Sequence, residues 1–65
     1  MKPKINDTVQ LVNAYAKESI AAGAIGVVVA ELCDEDEIYE VEFCNEQGQT
    51  IALATLRANQ FVVVA

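Results

Sequence analysis

The sequence predicts a mainly β domain, a small barrel of five short strands. Three observations carry that prediction. Apolar and polar residues alternate through Asp7-Thr8-Val9-Gln10-Leu11 and through Tyr39-Glu40-Val41-Glu42-Phe43, the period of a strand with one buried face. Val27-Val28-Val29 and Phe61-Val62-Val63-Val64 are β-branched and aromatic runs, which suit a pleated, half-buried surface. Gly48 sits between two further runs, residues 39–43 and 49–56, as in a hairpin. At 65 residues and 54% hydrophobic, the chain reads as one domain over 1–65, too apolar for disorder and near the lower limit for independent folding.

Residues 1–6 form a polar lead-in in which Pro3 discourages regular structure. The first strand follows over residues 7–13, with Val9 and Leu11 pointing one way. Residues 14–22 are rich in Ala, Lys and Glu, which favour helix, but Gly23 and Gly26 close the segment quickly. A long first loop with one helical turn, anchored by Ile20 and Tyr15, is the preferred reading; a two-turn helix is the competing one. Gly23 makes the turn into the second strand, and Gly26 marks a bulge or a close backbone approach. The unbroken valines imply partial cover on both faces of that strand.

Asp34-Glu35-Asp36-Glu37 joins the second strand to the third. Four adjacent carboxylates repel one another, so this is an exposed tip. In the hairpin beyond it, a loop of Glu46-Gln47-Gly48 closed by Gly48 at positive φ sets a register. Phe43 then faces Ile51, Val41 faces Leu53, and Tyr39 faces Thr55. That puts Val41, Phe43 and Leu53 in the core, and Glu40 and Glu42 on a wet outer face with Ala54 and Ala52. Arg57-Ala58-Asn59-Gln60 has the length of one tight helical turn before the last strand, which begins at Phe61.

Charge narrows the function classes. Net charge is −6, with ten acids against four Lys and Arg. The span from Glu31 to Glu46 holds most of the acids, and no Lys or Arg lies between Lys17 and Arg57. Nucleic-acid binding needs cations to replace phosphate counterions, so no nucleic-acid partner is expected. A basic protein partner suits this field. The expected partner-binding residues are Asp34, Glu35, Asp36, Glu37, Glu40 and Glu42. No calcium site is expected at residues 34–37, because the run lacks alternating ligands and a central Gly.

The chain has no His and two Cys, Cys33 and Cys44. A zinc site lacks its usual ligands, and general acid–base catalysis at neutral pH lacks imidazole. No phosphate loop or catalytic constellation is visible, so neither an enzyme nor a cofactor is expected. Both thiols read as reduced, placing the chain in the cytoplasm. The apolar stretch over residues 20–30 is shorter than the ~20 residues that span a bilayer, so no membrane partner is expected. Phe61, Val62, Val63 and Val64 form a short apolar edge that must pair or be covered, which admits a homodimer through these residues.

Five strands in this order, with a Gly23-Ala24-Ile25-Gly26-Val27-Val28 entry to the second, resemble a small SH3-like barrel. Asp7-Thr8-Val9, Ala22-Gly23…Gly26-Val27-Val28, Tyr39-Glu40-Val41-Glu42-Phe43, Gly48 and Ala52-Leu53-Ala54-Thr55-Leu56 are together similar to a small bacterial family known as a domain of unknown function. The resemblance covers almost the whole chain. It implies a stand-alone domain and brings no catalytic residues. The functional expectation is a non-catalytic protein-interaction module, an accessory or antitoxin-like partner of a neighbouring gene product. A structural homodimer is the second expectation, and a nucleic-acid-binding barrel the third.

Overall fold

A computed structural model describes residues 2–65. The chain is mainly β, as the alternation requires. Its elements are β1 (Thr8–Leu11), a 3₁₀ turn (Ala16–Glu18), β2 (Ile25–Cys33), β3 (Ile38–Cys44), β4 (Thr50–Arg57), a second 3₁₀ turn (Ala58–Gln60) and β5 (Phe61–Val63). All five strands join one antiparallel sheet in the order β4-β3-β2-β1-β5. The sheet curls around one interior, but β4 and β5 are its two edges and the ladder does not close between them. The second 3₁₀ turn bridges that gap, its entry fixed where the Arg57 amide donates to Gln60 Oε1 at 2.8 Å.

The first loop is long and holds a single tight turn. Tyr15 and Ile20 pair across it, and Ser19 takes a left-handed conformation to end it. Ile20 is buried and caps the core. Helix propensity in residues 14–22 loses to this closure, since so short a segment cannot offset the cost of a helical nucleus.

The interior is built from alternate positions. Val9 and Leu11 come from β1, Val28 from β2, Tyr39, Val41 and Phe43 from β3, Ala54 and Leu56 from β4. Phe61 meets Tyr39 edge-to-face, ring centroids 6.1 Å apart. Phe61 is therefore a core residue. Val62, Val63 and Val64 do remain exposed.

β2 must bend, because Ile25 to Val27 pair with β1 while Gly26 to Cys33 pair with β3. Two register shifts supply the bend, between Val28 and Ala30 and between Glu31 and Cys33, the usual work of β-bulges. The three valines consequently differ: Val28 is enclosed, Val27 half-buried and Val29 exposed. Gly26 is a close-approach glycine, pressed against Val41, Glu42 and Phe43 of β3.

The β3–β4 turn forms as its residues require. Gly48 has a φ of 78°, and its amide donates to the Asn45 carbonyl at 3.0 Å. The Asn45 amide donates to the Gln49 carbonyl at 2.9 Å. Asn45 Oδ1 accepts from the amides of Gln47 and Gln49, each at 3.0 Å.

Beyond the turn the register departs from expectation. Cys44 pairs with Thr50, but Phe43 pairs with Ala52, so Ile51 is an extra residue. Val41 then faces Ala54, and Tyr39 faces Leu56. Leu53 is thereby turned outward, 50% exposed, and Ile51 is 59% exposed. The expectation of Leu53 in the core is corrected. The physical reason is volume. Tyr39 and Phe43 already fill so small an interior, and small Ala52 and Ala54 fit around them where Ile51 and Leu53 would overpack it.

Candidate functional site

Six carboxylates were expected to form the site, and the fold divides them into two groups. Asp34, Glu35, Asp36 and Glu37 make the β2–β3 turn and are all exposed. Glu37 adopts a φ of 53° to complete that turn. Its carbonyl accepts from the Ala58 amide at 3.0 Å, tying the tip to the second 3₁₀ turn.

Glu40 and Glu42 project from the middle strand of the β2-β3-β4 half-sheet and are half-buried. Residues directly opposite one another in an antiparallel ladder share a face. Glu42 lies between Val27 of β2 and Leu53 of β4, and Glu40 between Ala30 and Thr55. Thr55 Oγ1 donates to Glu40 Oε1 at 3.2 Å. Cys44 Sγ lies 3.8 Å from Glu42 Oε1. The outer face is thus not the wet acidic surface expected; it is carboxylates set among exposed apolar groups. The outward turn of Leu53 and Ile51 could not be read from alternation, because a single extra residue flips every later side chain.

At the turn end of the sheet, Lys2 Nζ donates to Asp34 Oδ1 at 2.9 Å. Pro3 beside it is buried, which pins the lead-in. The hydrogen bond to Asp34 raises the Lys2 ammonium above its ordinary pKa, helped by the Asp34 charge. Tyr39 lies beneath. Its side chain is 0% exposed, and its hydroxyl has no hydrogen-bond partner among the described residues. Burial pushes the phenol up, and the charges of Glu31 and Glu37 add to the effect.

A cleft of about 240 Å³ opens beside Lys2, lined also by Lys4, Asp7 and Val63. Among the described residues no three His, Cys, Asp or Glu side chains converge to hold a metal ion. Cys33 and Cys44 are both free thiols. No helix is long and apolar enough to cross a membrane, among the described residues.

A family model described as Domain of unknown function (DUF4926) matches residues 5–63. The chain belongs to the DUF4926 family. The match runs from the lead-in through β5, so the DUF4926 segment includes the whole sheet, the acidic tip and the Tyr39 environment. No curated protein and no solved structure matches the chain.

Proposed function

We propose that this DUF4926 chain is a non-catalytic protein-interaction module of the bacterial cytoplasm. It uses the outer face of β2-β3-β4 and the acidic tip to bind a basic protein, as an accessory or antitoxin-like partner of a neighbouring gene product. One observation carries the reading. Leu53 is turned to solvent opposite Glu42, and Ile51 is exposed at the bulge, instead of filling the core. Exposed apolar area rimmed by charge is the composition of an interaction patch, and carboxylates at its margin set on-rate and partner choice.

The combined variant Glu35→Gln, Asp36→Asn, Glu40→Gln, Glu42→Gln tests it. Capture of a basic partner from the native host should weaken on the order of tenfold at low salt, and less at high salt. Unchanged capture at low salt excludes this surface.

A homodimer is a second reading, and the exposure of Val62 and Val63 on edge strand β5, and of Val64 just after it, favours it. An uncovered apolar edge invites pairing with another chain. Light scattering at micromolar concentration is expected to give the mass of two chains on this reading; a strict monomer removes it.

A further inference from the structure

We propose that the free edge of β4 takes a short extended segment of a basic partner as an added antiparallel strand, with two basic side chains of that segment laid toward Glu40 and Glu42. This rests on the protein-binding reading above and names the form and chemistry of its partner.

The main chain gives the first support. The Ala58 amide donates to the Glu37 carbonyl at 3.0 Å, one step beyond the Ile38–Arg57 pair. Hydrogen-bonded and non-hydrogen-bonded pairs alternate along an antiparallel ladder, so Tyr39–Leu56 and Val41–Ala54 are the bonded pairs. The amides and carbonyls of Leu53 and Thr55 therefore point away from β3, to the side where β4 has no neighbour in the sheet. The Arg57 amide points the same way and is taken by Gln60 Oε1 at 2.8 Å. The first 3₁₀ turn comes near β4, but its backbone hydrogen bonds stay within its own loop. A donor and an acceptor remain open on each of Leu53 and Thr55, among the described residues.

The second support is the lack of protection on that edge. Natural sheets guard their edges with charge, Pro or bulges. Residues 50–56 carry no charged residue and no Pro. The bulge at Ile51 guards only the start of the strand, and from Ala52 to Arg57 the register with β3 is unbroken.

The adjoining row of charge decides the occupant. Thr55 and Leu53 stand opposite Glu40 and Glu42. Both carboxylates are half-buried, and neither has a cation partner among the described residues. In an added antiparallel strand, the residues opposite Thr55 and Leu53 share their face, two strand spacings or about 9.5 Å from Glu40 and Glu42. Lys and Arg side chains can lay their stems over Thr55 and Leu53 and carry their charge to the carboxylates. The residue between them turns to the core side beside buried Ala54, and is therefore small and apolar. A second copy of this chain brings a further net charge of −6, which opposes the acidic row instead of neutralising it.

The test uses the full chain and the peptide acetyl-Thr-Lys-Ala-Arg-Thr-amide, with amide shifts and amide hydrogen exchange read by NMR. In the free chain the Leu53 and Thr55 amides should exchange fast while those of Ala54 and Leu56 are protected. Saturating peptide should slow Leu53 and Thr55 about threefold or more. N-methylation of the peptide's Lys and Arg, whose amides face β4, should weaken binding on the order of tenfold. N-methylation of its Ala, whose amide faces away, should weaken it far less, and Glu in place of both Lys and Arg should abolish binding. No binding at millimolar peptide overturns the proposal, as does equal loss from the two methylation patterns or binding that leaves Leu53 and Thr55 exchange unchanged. Slow exchange of these two amides in the free chain also overturns it, and quickening on dilution would then assign the edge to a second copy.

The fourfold variant of the outer face keeps every main-chain group of β4. If it loses partner capture while the two methylated peptides bind wild type alike, the broader reading stands and only the added strand falls. If it keeps capture while the peptide slows Leu53 and Thr55 in wild type, the acidic face falls as the capture surface and the edge site remains.

Discussion

Gly26→Ala is expected to remove most of the stability of this chain, although it adds a single methyl group. A Cβ at position 26 would lie 2.8 Å from Val41 Cγ1, 2.9 Å from the Glu42 carbonyl oxygen and 2.9 Å from Phe43 Cδ1. None of the three can yield cheaply. Val41 and Phe43 are fully enclosed, and Val41 is stiff at χ1. The Glu42 oxygen is main chain in β3, which is paired on both sides. Overpacking of this kind costs ~1–3 kcal/mol and sometimes more, against a net stability of ~3–5 kcal/mol for a core this small. The urea midpoint followed by circular dichroism should fall by about half or more, and Gly26→Val should show no cooperative transition. A Gly26→Ala midpoint equal to wild type would mean that β2 and β3 do not approach this closely. Gly48 makes the contrast. Nothing lies within 4 Å of its added Cβ, so Gly48→Ala meets only the positive-φ penalty of ~1–2 kcal/mol.

Much of this fold is legible in the residues, for identifiable reasons. The five strands, the single turn in the first loop and the 3₁₀ turn before β5 follow from alternation, β-branched runs and punctuation by glycine. The β3–β4 turn is legible because Gly48 alone offers positive φ there without strain, and Asn45 can bind the turn amides. The register of β4 is not. Ile51, Leu53 and Thr55 occupy one parity, Ala52, Ala54 and Leu56 the other, and both parities are apolar. Choosing between them needs the volume already taken by Tyr39 and Phe43, which is a property of the packed interior. The burial of Phe61 is illegible for a related reason. Within an apolar terminal run only tertiary packing, here the edge-to-face contact with Tyr39, separates the inward residue from its exposed neighbours.

The candidate site divides in the same way. Its charge is legible because charge is a property of residues, and so the acidic tip could be placed at once. Its apolar component was hidden behind the bulge at Ile51. The corner around Tyr39 was hidden by distance along the chain, since Lys2 meets Asp34 across 32 positions. Tyr39 itself reads as an ordinary core aromatic in any alternating strand. Only its enclosure without a hydroxyl partner sets it apart.

Two leucines on one strand should separate the observed register from the one that alternation suggests. Leu56→Ala removes a side chain that is enclosed opposite Tyr39. Such truncations cost ~2–5 kcal/mol, enough to leave this chain largely unfolded at room temperature. Leu53→Ala, three residues earlier, removes a side chain that faces water beside Glu42. Its stability should stay within ~0.5 kcal/mol of wild type, and thermal unfolding followed by circular dichroism reads both. If Leu53→Ala were the damaging change, the bulge at Ile51 would be wrong and the outer face would lose its apolar component. The pair also bears on function. A leucine kept outside at no benefit to the core contributes elsewhere, and a folded Leu53→Ala chain that captures less partner is the result the interaction reading requires. Capture lost through unfolding cannot be mistaken for it, because Leu56→Ala supplies the unfolded reference.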